Sequence, residues 1–124
     1  YARERKVWDV PIGAHQGIAH PLARAKINVE LARLMTQKAA FLYDSGAGAD
    51  ETGEASNMAK FAASEASLVA LDQAIQTHGG NGLASEYGLA DLWGITRLLK
   101  IAPISAEMIL NHVAMHSLGL PRSY

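Results

Sequence analysis

The chain has 124 residues, of which 49% are hydrophobic, 6% aromatic and 19% charged, and its formal net charge at pH 7 is −1. This length fits a single domain, and the balanced charge argues against a nucleic-acid-binding protein or a polybasic membrane segment. Cysteine is absent, which excludes disulfides, thiolate metal ligands and a cysteine nucleophile, and no stretch approaches the ~20 consecutive apolar residues of a membrane span.

The first predicted element is a long amphipathic helix over residues 16–43. Apolar residues recur there every three or four positions, as expected for one buried helix face, and the charged side chains fall off this line. At 1.5 Å per residue the helix is about 40 Å long and would form one edge of an elongated bundle. The predicted buried face consists of Ile18, Leu22, Ala25, Val29, Ala32, Met35, Ala39 and Leu42.

A second helix is predicted over residues 53–77, after a break at residues 44–50 that contains two glycines. Asp50 or Thr52 is the expected N-cap. Many alanines give this helix a thin surface, which permits a partner helix to approach closely. The helix ends where three glycines occur in four residues, because such a run does not continue a helix cheaply. Its predicted inner line is Met58, Ala62, Ala66, Val69 and Gln73.

Two shorter helices are predicted over residues 86–101 and 104–118, separated by Pro103. The inner set of the third helix is expected to be Leu89, Leu92, Trp93, Thr96 and Leu99. The candidate core positions of the fourth are Ile104, Met108, Leu110 and Val113. No segment shows the alternating pattern of a strand. The sequence therefore predicts a single all-α domain over residues 1–124, most simply an antiparallel four-helix bundle.

Residues 76–82, Gln-Thr-His-Gly-Gly-Asn-Gly, are unusual for a helix end. One glycine would suffice to end a helix, whereas three allow the phosphates of a ligand or another backbone to come close. The segment lacks the Gly-Lys-Ser/Thr of a Walker loop, and it follows a helix, so the dinucleotide-binding fingerprint fails too. A second unusual segment, residues 5–16, places an arginine, a tryptophan and a His-Gln pair around a proline and a glycine.

Together these segments resemble the C-terminal helical domain of the acyl-CoA dehydrogenase family, flavoenzymes that desaturate acyl-CoA thioesters. Members typically begin this region with Arg-x-x-Phe-Gly-x-x-(Ile/Leu) and a later Gln, and those places are held here by Arg5, Trp8, Asp9, Ile12 and Gln16. The family motif Gln-x-x-Gly-Gly-x-Gly is matched in full by Gln76, Gly79, Gly80 and Gly82. Glu86 and Tyr87 follow where members often carry Glu-Tyr, and the resemblance covers essentially the whole chain.

The resemblance implies an FAD site shared between subunits of a homodimer or homotetramer. Arg5 would pair with the flavin pyrophosphate, and Trp8 would pack against the cofactor or at the dimer seam. An acyl-CoA-type substrate would be held mainly by parts of a longer flavoprotein outside this chain, so the isolated domain should be inactive. No nucleic-acid or membrane partner is expected, and the location should be cytoplasmic. The residues assigned to FAD are Arg5, His15, Gln16, Gln76, Gly79, Gly80 and Ser105.

The sequence departs from the family at the catalytic base. Many members carry a Glu that removes the α-proton while the flavin accepts the β-hydride, but Pro103 stands at that position and cannot take a proton. Gly94-Ile95 replaces the usual Arg-Asp, and Glu107 lies one turn further on. No catalytic residue is therefore assigned. Three readings stay open: a base supplied upstream of Tyr1, altered chemistry on the same flavin scaffold, or a helical interaction bundle without catalysis.

The remaining candidate is a pair of histidines, His112 and His116, spaced i, i+4 on one helix face. This spacing can hold zinc, but no third ligand is evident nearby in the sequence. A solvated or capping pair near the helix end is the preferred interpretation, and no metal site is predicted. Because the first residue is Tyr1 and no leader sequence follows it, we expect the chain to be a piece of a longer protein.

Overall fold

A computed structural model describes residues 1–122, and within that range it is built from four α-helices, which confirms the predicted all-α class. The helices are α1 (Gln16–Asp44), α2 (Ala49–His78), α3 (Leu89–Leu99) and α4 (Ala106–His116). A two-stranded hairpin, β1 (Lys6–Val7) and β2 (Val10–Pro11), precedes them, and 3₁₀ turns occupy Ile12–Ala14 and Gly79–Leu83. No helix among the described residues is long and apolar enough to cross a membrane.

The central element is α2, which contacts each of the other three helices. A short loop joins α1 to α2, and Ala39 packs against Ala55 and Ala59, so the two helices form an antiparallel hairpin. The ion pair between Lys100 and Glu65, 2.6 Å, joins the end of α3 to the middle of α2. Further along, the Lys60 Nζ donates to the Ile104 carbonyl at 2.6 Å. The last two helices therefore follow one another back along α2.

The interface between α1 and α2 is formed by small residues. The buried residues of α1 are Ala25, Ala32 and Ala39, spaced seven residues apart, and all three belong to the predicted face. The buried residues of α2 are Ala55, Ala59, Ser64, Ala66 and Thr77. Alanine leaves little side-chain volume between two helix axes, so the backbones approach closely along the hairpin. The predicted inner line of α2 is only partly right, since Val69 is exposed.

Several predicted helix boundaries are wrong by a few residues. The second helix begins at Ala49, four residues early, with Gly48 at its N-cap, so Asp50 and Thr52 are not caps but lie within the first turn. An acidic residue in the first turn interacts favourably with the helix dipole without capping it. The third helix begins at Leu89, because Gly88 adopts a left-handed φ of 64° at its N-cap.

The predicted core line of α4 is also wrong at three of its four positions. Ile104, Met108 and Leu110 are each about half exposed, whereas Ala106 and Ile109 are buried, and Ile109 is only 2% exposed. Apolar residues lie around most of this helix, so periodicity alone fits two different faces. Contact with α2 selects the face that is buried.

The β-hairpin formed by β1 and β2 was not predicted from the sequence. Its two strands have two residues each and pair antiparallel, with Lys6 opposite Pro11 and Val7 opposite Val10. Trp8 and Asp9 form the turn with φ values of 52° and 65°, the left-handed geometry of a two-residue hairpin turn. Strands this short show no alternation, and Trp-Asp lacks the Asn-Gly type of signal that marks such turns.

Candidate functional site

The two unusual sequence segments lie at the same end of the α1–α2 hairpin. Because the two helices are antiparallel, Gln16 at the start of α1 and Gln76 near the end of α2 belong to this end. Residues 1–15, which we call the N-terminal segment, reach it through the Tyr1 ring, which stacks on the His78 ring at a centroid distance of 4.1 Å. The 3₁₀ turn Gly79–Leu83, which we call the glycine turn, follows directly after His78.

The three glycines of the motif lie in three different structural environments. Gly79 has φ 60° and ψ −137°, a conformation that residues with a side chain rarely adopt. A Cβ on the buried Gly82 would lie 2.5 Å from the carbonyl oxygen of Ile75, so the close packing of the turn on α2 requires glycine there. A Cβ on Gly80 would meet nothing within 4 Å. The fold of the described residues therefore explains two of the glycines and leaves Gly80 open on its exposed side.

Three aromatic rings surround the start of the glycine turn, and we call Tyr1, His78 and Tyr87 the ring cluster. The Tyr87 ring lies edge-on to His78 at 5.3 Å and to Tyr1 at 6.2 Å. The Nδ1 of His78 is 2.8 Å from the carbonyl oxygen of Ala74, and the Asn81 Nδ2 donates to the Tyr1 hydroxyl at 3.3 Å. Sequence reasoning missed this cluster, because its members are far apart in the chain and no local pattern links them.

The polar side chains assigned to FAD at this end are exposed. Within residues 1–122 the side chains of Arg5, Gln16 and Gln76 form no hydrogen bond or ion pair. His15 stands at the N-cap position of α1 without a side-chain cap bond, and its ring lies edge-on to Trp8 at 6.3 Å. Trp8 is 85% exposed. This end of the hairpin therefore offers a guanidinium, two amides and an indole to something outside the described chain.

Ser105 lies elsewhere in the fold. It is the N-cap of α4, where its hydroxyl accepts a hydrogen bond from the Met108 amide at 3.4 Å. The neighbouring Ile104 carbonyl binds Lys60, which precedes Gln76 by 16 residues of α2, or about 24 Å along the helix. The structure thus does not bring Ser105 to the other six candidate residues within one chain, and its contact with FAD stays a prediction.

The residue predicted at the position of the usual base offers no proton acceptor. Pro103 is exposed between α3 and α4, and Glu107 is an exposed residue in the first turn of α4. The pKa of the Glu107 carboxyl is lowered, first by its own backbone N–H and then by the Ser105 hydroxyl. A lowered pKa makes a carboxylate a weaker base, so the local chemistry does not favour Glu107 as a substitute.

The histidine pair faces carboxylates that sequence reasoning missed. The rings of His112 and His116 are 4.5 Å apart and line a depression of about 510 Å³ together with residues of the first turns of α2. The α2 residues in this depression are Asp50, Glu51 and Glu54. Within residues 1–122, no group of three or more histidine, aspartate or glutamate side chains is arranged to hold a metal ion. The carboxylates were missed because only the packing of α4 along α2 brings them near.

Comparisons with known proteins place these features in context. The family described as acyl-CoA dehydrogenase, C-terminal domain, matches residues 1–118. Acyl-CoA dehydrogenase FadE12 of Mycobacterium tuberculosis is 64% identical over 126 residues, which cover 100% of this chain and 32% of that protein. Probable acyl-CoA dehydrogenase YngJ of Bacillus subtilis is 40% identical over 108 residues, which cover 87% of this chain and 28% of that protein. The chain therefore spans about a third of the length of these relatives.

A solved structure shares the fold. The FAD complex of PigA has a TM-score of 0.90 and 28% sequence identity to this chain, covering 97% of it and 30% of PigA. PigA has also been solved with FAD and proline, at the same TM-score and identity.

Proposed function

This chain belongs to the acyl-CoA dehydrogenase family and corresponds to the C-terminal domain of its members. On that premise, we propose that it completes the FAD site of a longer acyl-CoA dehydrogenase. The observation that carries the proposal is the end of the α1–α2 hairpin. There Gly80 leaves open space, and the exposed side chains of Arg5, Gln16 and Gln76 have no partner within residues 1–122. A helical bundle without a ligand has no need of Gly80.

The chemistry of these residues fits FAD. The Arg5 guanidinium matches the oxygens of a pyrophosphate, and the amides of Gln16 and Gln76 can donate to and accept from the adenosine part. Gly79 and Gly80 present backbone without side chains, so the flat and bulky adenosine diphosphate portion can come close. Bound FAD would supply the hydride acceptor, while the residues of this chain would hold and orient it.

We further propose that the site is shared between subunits of a homodimer or homotetramer. Large apolar side chains exposed on α1 and α3 support self-association, because contiguous apolar surface marks interfaces. The main members are Ile27, Leu31, Leu34 and Phe41 on α1 and Leu92, Ile95, Leu98 and Leu99 on α3. An acyl-CoA-type substrate would be held mainly outside this chain, and the isolated domain would be inactive. The cytoplasmic location stays a prediction.

The catalytic base would come from the part of the protein outside this chain, since Pro103 cannot accept a proton. Desaturation of an acyl-CoA thioester is the reaction we propose. A second candidate is flavin-dependent oxidation of another substrate class. Two observations favour it: the proline at the usual base position, and the likeness to PigA, which was solved with FAD and proline.

The test replaces Gly80 by leucine in the full-length protein and measures FAD binding by flavin absorbance during titration of the apoprotein. Gly48→Leu is the matched control, because Gly48 is another exposed glycine with nothing within 4 Å of an added Cβ, and it lies at the opposite end of the α1–α2 hairpin. We expect Gly80→Leu to weaken FAD binding at least about tenfold, equivalent to about 1.4 kcal/mol, and Gly48→Leu to leave it unchanged.

Three outcomes separate the readings. A wild-type protein that takes up no FAD would overturn the flavin function and leave a helical interaction bundle. Equal FAD affinity of the two leucine variants would remove Gly80 from the cofactor site. If FAD binds, reduction of the bound flavin by a panel of acyl-CoA thioesters supports desaturation, and its absence with all of them favours the second candidate.

A further inference from the structure

The ring cluster connects the N-terminal segment with the glycine turn. Tyr1 stacks on His78 with an interplanar angle of 25°, and Tyr87 closes the cluster edge-on to both rings. Tyr1 and His78 are partly buried, whereas Gly79, Gly80 and Asn81 beside them are exposed. Aromatic pairs in these geometries contribute about 0.5–1.5 kcal/mol beyond their buried area. The contacts therefore hold together two segments that are 77 residues apart in the chain.

Hydrogen bonds orient the Tyr1 ring relative to the glycine turn. His78, the last residue of α2, is fixed by the contact of its Nδ1 with the Ala74 carbonyl. Asn81, inside the turn, donates to the Tyr1 hydroxyl. Tyr1 thus touches the residue before Gly79 and the residue after Gly80. Gly79 and Gly80 therefore lie between His78 and Asn81, and both of these residues contact Tyr1.

The backbone of Tyr1 is linked in turn to Arg5. The Tyr1 carbonyl accepts hydrogen bonds from the amides of Glu4, at 3.0 Å, and Arg5, at 2.8 Å. The Arg5 carbonyl accepts from the Ile12 amide, and the Ala2 carbonyl accepts from the Gly13 amide. One tight turn therefore joins the ring that contacts the glycine turn to the backbone that carries the Arg5 guanidinium.

We propose that Tyr1 is a positioning residue, which fixes Arg5 and the Gly79–Gly80 backbone relative to each other before FAD binds. This inference rests on the proposed FAD site and adds a residue to which neither the motif nor the family resemblance gives a role. A preformed arrangement lowers the conformational entropy that binding must otherwise remove. Tyr1 itself contributes no group to the cofactor, and its effect passes through the ring cluster.

The test uses Tyr1→Ala and Tyr1→Phe in the full-length protein, with Tyr43→Ala as the matched control. Tyr43 is an exposed tyrosine at the far end of α1. Two quantities are measured: the affinity of the apoprotein for FAD, and the hydrogen exchange of the glycine-turn amides in the apoprotein. We expect Tyr1→Ala to speed exchange in the turn and to weaken FAD binding by roughly tenfold. Tyr1→Phe keeps the stacked ring and should restore most of both.

Tyr87→Leu gives a second, independent variant of the ring cluster, and it should change both quantities in the same direction. If wild-type protein binds FAD and Tyr1→Ala binds it equally well, the inference is overturned and the FAD site stands. Faster exchange in Tyr1→Ala with unchanged FAD affinity also overturns it, since the cluster would then be merely structural. Failure of the wild type to bind FAD would overturn the proposed function and this inference together.

Discussion

Replacing Gly82 by alanine is expected to disrupt the glycine turn. The added Cβ would lie 2.5 Å from the Ile75 carbonyl oxygen, 2.8 Å from its Cα and 3.0 Å from its carbonyl carbon. All three atoms are backbone of the last turns of α2, so no side chain can rotate away to make room. The turn must move off the helix as a unit. Overpacking of this kind typically costs about 1–3 kcal/mol of stability. Because the contact here is with rigid backbone, we expect Gly82→Ala to cost about 2 kcal/mol.

The two neighbouring glycines supply contrasting variants. Gly80→Ala should change local stability by less than about 0.5 kcal/mol, because its Cβ meets nothing within 4 Å. Gly79→Ala should cost about 1–3 kcal/mol for a different reason, since its φ of 60° strains any residue with a side chain. The series therefore separates packing, backbone strain and open space within four residues of sequence.

Native-state hydrogen exchange at the glycine turn and the end of α2 measures this local stability directly. A loss of 2 kcal/mol corresponds to roughly thirtyfold faster exchange in Gly82→Ala, with Gly80→Ala near the wild type. The reasoning is refuted if Gly82→Ala keeps wild-type protection. It is equally refuted if Gly80→Ala loses as much protection as Gly82→Ala.

Two predictions concern α4. Ile109→Ala removes a large side chain that is only 2% exposed. It should destabilise the packing of α4 on α2 by about 2–5 kcal/mol, measured as faster hydrogen exchange in α4. Leu110→Ala, on the exposed face, is the control and should change the exchange rates of α4 little. Ser105→Ala removes the N-cap and should cost about 1 kcal/mol in the same assay. It should also raise the pKa of Glu107 toward its ordinary value, since the Ser105 hydroxyl is the second cause of the lowering. Because the pKa of Glu107 is lower in the folded than in the unfolded state, its carboxylate stabilises the fold at pH values above the unfolded-state pKa. This stabilisation is lost as the pH falls through the folded-state pKa. If NMR titration finds the same Glu107 pKa in Ser105→Ala as in the wild type, this prediction is wrong.

Much of the fold could be predicted from local patterns. The spacing of Ala25, Ala32 and Ala39 identified the buried face of α1, because a 3.6-residue period places them on one line. The predicted boundaries of α1 differ from the observed ones by a single residue at its end. The two-residue strands and the start of α2 were missed, since neither carries a strong local signal. The seven residues assigned to FAD were chosen by resemblance to a family motif, and the structure brings six of them to one end of the hairpin.

The sequence by itself determined the helices, the glycine motif and the family, because helix periodicity, glycine conformational freedom and motif spacing are properties of neighbouring residues. Only the tertiary structure decided which face of α4 is buried, since Ile109 and Leu110 are both large apolar residues of this helix and only its packing on α2 buries one and leaves the other exposed. It also decided that Tyr1 reaches His78 and that a Cβ on Gly82 would meet the Ile75 backbone. These facts depend on distances between residues that are not neighbours in the sequence, and such distances arise only when the chain folds.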